Sequence, residues 1–328
     1  MMVDNNGKLL ELQNLSICLD TQRGKVDVVD RINFTVPRGV SVGLVGESGS
    51  GKSMTALAVM QLLPKAASIA GGRILFQGED LTAKNDDEMQ KVRGFKISLI
   101  FQTSKTALNP LMRVGDQIAR VYVQRLGLSK KDAWEKTVEL LGAVGIAQPD
   151  RRARSFPHHL SGGMAQRVMI GMMLACNPRL LIADEPTTGL DVTTEAQILD
   201  LIRDMRAEQG ITLMLITHDL GLVAANCEQV GVMHAGHIVE YSPVRALFYD
   251  PKHPYTRMFL SSIPRPDRAE LSESSMVGQA PDPYHLPTEG CRFISRCPER
   301  MERCSQPVPW VKVDEEHQVF CHLYQEAA

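Results

Sequence analysis

An α/β fold built around a phosphate-binding loop is what this sequence predicts, and three segments predict it. Gly46-Glu47-Ser48-Gly49-Ser50-Gly51-Lys52-Ser53 follows the pattern GxxxxGK[ST]. It lies between an apolar run, Val40 to Val45, and a stretch of helical spacing, Met54 to Leu63, that stops at Pro64. Leu160-Ser161-Gly162-Gly163-Met164 places a glycine pair at the start of a second helix. Leu180-Leu181-Ile182-Ala183-Asp184-Glu185 is an apolar strand ending in two carboxylates. Strand, glycine loop and helix in that order make a chance glycine-rich turn a poor explanation.

The remaining elements follow from periodicity. Leu9 to Leu19 and Val26 to Val36 alternate around Thr21-Gln22-Arg23-Gly24 and predict a hairpin. Gly71 to Asp80 reads as a short strand and turn, and Lys96 to Phe101 as a strand ending at Gln102. The spacing turns helical from Leu111 to Gly145, as an insert between two halves of a core. Ser161 to Cys176 is a helix halted by Asn177-Pro178, Arg179 to Ala183 a buried strand, and Thr193 to Gln209 an amphipathic helix ended by Gly210. Ile211 to Thr217 is a strand with His218-Asp219 at its end, and Val230 to Met233 with His237 to Tyr241 forms a closing hairpin. Beyond about Asp250 prolines crowd the chain, which excludes long helices and central strands and sets a domain boundary: 1–250, then 251–328.

Composition excludes several classes. A net charge of -2 offers no basic surface for nucleic acid. The most apolar stretch, Val168 to Cys176, is about half the roughly 20 residues a membrane span needs. The opening MMVDNNGKLL lacks the basic-then-apolar build of a signal peptide, so a cytosolic protein is expected.

The chemistry of the three segments is complementary. Glycines let consecutive backbone N–H groups turn inward on an anion, and the helix behind them adds its positive end. Lys52 is expected to reach the β- and γ-phosphates of ATP and Ser53 to ligate Mg²⁺. Asp184 is suited to hold Mg²⁺ through its water shell, and Glu185 to act as general base for an attacking water. His218 is a candidate γ-phosphate contact, and Gln102 a candidate Mg²⁺ ligand.

This set resembles the nucleotide-binding domain of ATP-binding-cassette (ABC) proteins, with a RecA-like core, an antiparallel β subdomain and a helical subdomain at about 104–175. In that resemblance Gly46 to Ser53 is the Walker A loop, Gln102 the Q-loop residue and Ser161-Gly162-Gly163-Met164 the signature. Leu180 to Glu185 is Walker B, Gly189-Leu190-Asp191 the D-loop and His218 the switch histidine. The resemblance implies two such domains facing head to tail, with Ser161, Gly162 and Gly163 of one binding the γ-phosphate held by the other. It also implies a hydrolytically competent site. The signature ends in Met164 where many relatives have Gln. The family's adenine-stacking aromatic falls at Leu19 here, which leaves a residue such as Arg23 to cover the base.

The tail narrows the resemblance. Pro251-Lys252-His253-Pro254-Tyr255-Thr256 and Gly290-Cys291-Arg292-Phe293-Ile294-Ser295-Arg296-Cys297-Pro298 look like the C-terminal extension of dipeptide/oligopeptide-permease ATPases. That implies a peripheral protein at the cytoplasmic face of the inner membrane. Its implied partners are a second homologous ATPase, two permeases and an extracytoplasmic substrate-binding protein. Nickel, glutathione or another small solute is the alternative cargo, and a soluble ATPase remodelling a macromolecule the remoter alternative.

Cys291, Cys297, Cys304 and Cys321 are spaced C-x5-C-x6-C-x16-C in a segment with little apolar sequence of its own. Zinc knuckles prefer shorter gaps, whereas four thiolates on longer loops suit an iron–sulfur cluster; a [4Fe-4S] cluster is also what the resemblance favours. Zinc and unligated thiols remain the other two readings. His317 and His322 are read as solvated.

Overall fold

The computed structural model describes residues 7–101, 108–262 and 282–325. Its strands, in chain order, are β1 (Lys8–Thr21), β2 (Gly24–Pro37), β3 (Ser41–Val45), β4 (Ala67–Phe76), β5 (Glu79–Asp80), β6 (Ile97–Ile100), β7 (Leu180–Asp184), β8 (Thr212–Thr217), β9 (Gln229–His234), β10 (His237–Pro243), β11 (Trp310–Lys312) and β12 (Gln318–Phe320). The chain forms two compact units, residues 1–84 with 215–328, and residues 85–214.

The first unit holds an antiparallel sheet in the order β2-β1-β4-β5. Leu10 with Leu12, Leu15 with Ile17 after a register shift, and Ile32, Phe34 and Val36 are buried in alternation, which is why the hairpin was legible as a period of two. β3 is buried along its whole length, as a strand covered on both faces must be. It pairs in parallel with β9, with Val42 opposite Gln229 and Val45 opposite Val232. β9 and β10 form the expected hairpin, turning at Ala235 and Gly236, both at positive φ.

The proline-rich tail belongs to this first unit. Its β12 pairs with β10, Glu240 opposite Val319, and β11 pairs with β12. A helix also forms over Pro254–Ser261, with proline at its first position, where no N–H is lost. Glu240 organises the attachment. Its side chain is fully buried, and its carboxylate accepts from the backbone N–H groups of Lys252 and His253, both at 2.8 Å, and pairs with His317 Nε2 at 2.7 Å. His317 and His322 are therefore not solvated as expected. They are 1% and 4% exposed, and His322 pairs with Gln325 and the Gln306 carbonyl. A buried polar side chain needs such partners; that of His317 comes from distant sequence, those of His322 from within the tail.

In the second unit β6 and β7 pair in parallel, Ile97 opposite Leu180. The expected helical insert contains helices Val114–Leu126, Lys130–Ala143, Pro149–Ala153 and Gly162–Leu174. Gln117 straps the loop before them. Its amide accepts from Asn109 N–H at 2.9 Å and donates to the carbonyls of Asn109 and Met112, both at 3.0 Å.

Candidate active site

The phosphate loop runs straight out of β3. Gly46 sits at φ 153, and a Cβ there would meet the Met233 carbonyl oxygen at 2.0 Å, so only glycine lets the loop lie against β9. Gly51, at φ 107, caps the helix Lys52–Val59 in the left-handed region. The buried Lys52 ammonium donates to the carbonyls of Gly46 at 2.8 Å and Glu47 at 2.9 Å, which curls the loop around it. Ser48, Gly49 and Ser53 face solvent, and Ser50 is buried.

A second layer, not anticipated from the sequence, supports the loop. The guanidinium of Arg296 donates two parallel hydrogen bonds to the Glu47 carboxylate, at 3.0 and 2.9 Å. The Glu47 N–H donates to the hydroxyl of the fully buried Tyr255 at 3.0 Å. Burial pushes the Glu47 carboxyl up, but the hydrogen bonds and charge of Arg296 outweigh it and hold the group below its ordinary value. His234 lies beneath, between Tyr255 and Phe293, with ring centroids 4.3 and 5.3 Å away. Desolvation lowers its pKa to about 4, so it is neutral at pH 7. Arg292 donates to the Ala235 carbonyl at 2.7 Å and to Asp30 at 3.1 Å, pinning the β9–β10 turn. The two arginines lie within the Gly290 to Pro298 run, where the sequence points to no role for them beyond the family resemblance.

Beside the loop is a cavity of about 420 Å³, in the size range of small-molecule sites. Glu47 to Ser50 form one wall, and Arg23, Val28 and Pro283 with Leu286 of the tail form others. Leu19 is not in this wall; it is paired within β1 against Val26 and Ala67. Arg23 is in the wall, its guanidinium 4.2 Å from the centroid of the Tyr284 ring and 3.6 Å from Asp282.

The second unit carries the carboxylates. Asp184 is buried at the end of β7, and Glu185 follows at φ 44, a left-handed conformation that a glutamate rarely takes and that turns the chain sharply. Glu185 Oε2 accepts from the Thr188 hydroxyl at 2.9 Å. Ser161 caps the helix Gly162–Leu174, its hydroxyl accepting from Met164 N–H at 3.3 Å, which leaves the glycine amides at the positive helix end. Gln166 of that helix donates to the Pro186 carbonyl, tying signature to carboxylate loop. Asp191 caps Val192–Gln209, accepting from Thr194 N–H at 3.0 Å; the Thr194 hydroxyl and backbone bonds lower its pKa. Gln102 lies outside the described residues. In the first unit His218 is exposed at the end of β8, just before Asp219 caps Leu220–Asn226.

The four tail cysteines line one small cavity, together with Ile294, Met301 and Leu323. Cys291 N–H donates to the Cys304 carbonyl at 2.8 Å. Burial, with a smaller contribution from the neighbouring sulfurs, pushes the Cys291 thiol up to about 12 and the Cys321 thiol to about 11. Among the described residues no group of three or more His, Cys, Asp or Glu side chains is arranged to hold a metal ion. None of their helices is long and apolar enough to cross a membrane.

A glycine-lined anion cradle at a strand end, backed by a buried lysine and a helix start, defines a phosphate-loop nucleotide-binding protein. Comparison with known proteins narrows the class. The family described as "ABC transporter" matches residues 29–188, and "Oligopeptide/dipeptide transporter, C-terminal region" matches residues 239–304. The chain is 42% identical over 323 residues to the dipeptide transport ATP-binding protein DppD of Bacillus subtilis (strain 168), covering 98% of this chain and 96% of that one. It is 44% identical over 301 residues to the oligopeptide transport ATP-binding protein OppD of Salmonella typhimurium, covering 92% and 89%. The ATP-binding cassette MJ0796, solved as a dimer in a post-hydrolysis state bound to ADP and Pi, superposes with a TM-score of 0.65 at 26% identity, over 72% of this chain and 99% of that one. The chain belongs to the dipeptide/oligopeptide-permease family of ABC transporter ATP-binding proteins.

Proposed function

We propose that this chain binds and hydrolyses ATP to power uptake of dipeptides or oligopeptides through membrane permeases. The observation that carries the reading is near-full-length similarity to peptide-transport ATP-binding proteins, extending through the C-terminal region. Walker A supplies the triphosphate cradle, Lys52 the charge at the β- and γ-phosphates and Ser53 a Mg²⁺ ligand. Asp184 and Gln102 complete the Mg²⁺ shell, Glu185 takes the proton of the attacking water, and His218 contacts the γ-phosphate. The left-handed backbone at Glu185 supports a role separate from that of Asp184, since the regular strand ends at Asp184 and Glu185 departs from extended geometry. Arg23, backed by Tyr284, covers the base in place of the aromatic expected at Leu19.

Residues 1–250 are the ATPase in this reading, and 251–328 its C-terminal domain. Ser161, Gly162 and Gly163 serve the ATP of a second, homologous ATPase, and Asp191 lies at the same seam. Val192, apolar and 82% exposed beside Asp191, supports a partner there. Leu111, 86% exposed in the segment strapped by Gln117, supports contact of Asn109 to Gln117 with a permease. The four cysteines hold a [4Fe-4S] cluster of structural role. Their convergence on one cavity and the all-sulfur donor set suit it, since a metal centre relieves thiols that burial otherwise keeps protonated.

A mild-detergent pull-down of the chain from native membranes, read by mass spectrometry, tests the assembly. Two multi-span proteins and a second ATPase are expected; recovery from the soluble fraction alone overturns it. Glu185→Gln is expected to bind ATP and lose hydrolysis by about 100-fold or more, and wild-type turnover removes Glu185 from the role of base. Anaerobically purified protein is expected to carry iron and acid-labile sulfide. Colourless protein with stoichiometric zinc overturns the cluster.

A further inference from the structure

We propose that Arg296 is a positioning residue of the nucleotide site, contributed by the C-terminal segment to neutralise Glu47 and hold its carboxylate out of the triphosphate cradle. The inference rests on the ATP reading above.

The loop contains a contradiction that this contact resolves. A phosphate loop works by presenting N–H groups and a lysine to a polyanion, yet its second residue is a glutamate. An ionised carboxylate in that position repels the triphosphate and competes with it for Lys52 and the loop amides. The structure removes the competitor by geometry. The Arg296 fork grips both carboxylate oxygens of Glu47, and His234 at the end of β9 lies 3.9 Å from one of them. The pair is poorly solvated, with the Arg296 side chain 6% and the Glu47 side chain 19% exposed, so salt screens it little.

Arg296 is itself held in place. Its guanidinium lies 5.7 Å from the Phe293 ring centroid and 3.8 Å from Met258 Sδ. The same glutamate is fixed at its backbone, its N–H by the Tyr255 hydroxyl and its carbonyl by Lys52. Side chain, N–H and carbonyl of one loop residue are thus set by three different partners, and two of them, Tyr255 and Arg296, come from beyond residue 250. A lysine at 296 would supply charge without the planar fork that fixes the carboxylate's direction. The arrangement makes the C-terminal segment part of the ATP site of its own chain.

A double-mutant cycle on the full chain tests this, read by binding of a fluorescent ATP analogue and by KM and kcat for ATP. Arg296→Ala is expected to weaken ATP binding about tenfold, because a buried carboxylate loses its partner beside the polyanion. The rise is expected in KM, with kcat little changed. In the E47Q background the same Arg296→Ala change is expected to cost less than about twofold, since no charge is left to misplace. Arg296→Lys is expected to fall between wild type and Arg296→Ala, and it takes the place of Arg296→Ala in the cycle if that variant does not fold. An unchanged ATP affinity on either substitution overturns the proposal. So does an equal loss in the Glu47 and E47Q backgrounds, which assigns Arg296 to packing of the tail alone. Wild-type protein that fails to bind ATP overturns the underlying reading instead, and is recognised by the absence of any signal before mutation.

Discussion

The phosphate loop and the C-terminal tail lie in one compact unit and are held in opposite ways. Much of the loop's conformation is dictated within a few residues: Gly46 and Gly51 take backbone angles other residues resist, and Lys52 bonds carbonyls five and six positions before it. The tail's structure is dictated from far away. Glu240 gathers Lys252, His253 and His317, and Arg296 reaches back to Glu47. A local motif announces a function; a long-range pair announces nothing until the chain has folded. The tail looked like an appendage for that reason, although it supports the loop that the motif identified.

The sharpest way to break this contrast is at Gly46. Gly46→Ala puts a methyl 2.0 Å from the Met233 carbonyl and is expected to reduce ATP affinity on the order of 100-fold, by displacing the loop. Calorimetric titration measures it, and an affinity near wild type denies that glycine is needed there. Next comes the tail's own anchor. Glu240→Ala strands two backbone N–H groups and His317 and is expected to lower unfolding free energy by about 3 kcal/mol. Urea denaturation measures it; an unchanged midpoint means the tail is held by something other than Glu240.

Acid provides a third, smaller contrast. Burial depresses His253 to about 3 and His234 to about 4, against 6.5 for free histidine. The unfolded chain therefore binds protons that the fold refuses between pH 6.5 and 4. Stability is full above 6.5 and falls as pH drops through that window. His253→Asn keeps an acceptor for the Tyr255 N–H and is expected to flatten the fall in melting temperature between pH 6.5 and 4. A slope equal to wild type removes His253 from the account. The mildest test concerns the base side of the cavity. Arg23→Ala is expected to weaken ATP binding about threefold, as a partly exposed cation–π platform is lost, and to leave inorganic tripolyphosphate binding as it was. Equal losses for both ligands place Arg23 at the phosphates instead.

By itself the sequence determined the elements whose cause is local. These are the alternation of β1 and β2, the all-buried β3 and β7, the helices that follow Ser161 and Val192, and the glycine loop. Each depends on side-chain period or on a φ angle that one residue type favours. The tertiary structure alone decided what the polar residues of the tail do. His317 and His322 are spaced like surface residues and are buried, and Arg292 and Arg296 fall between cysteines and serve Asp30 and Glu47. Charge pairing has no period along a chain. Its partner is whichever opposite charge the fold brings within about 3 Å, and burial then makes that pairing strong.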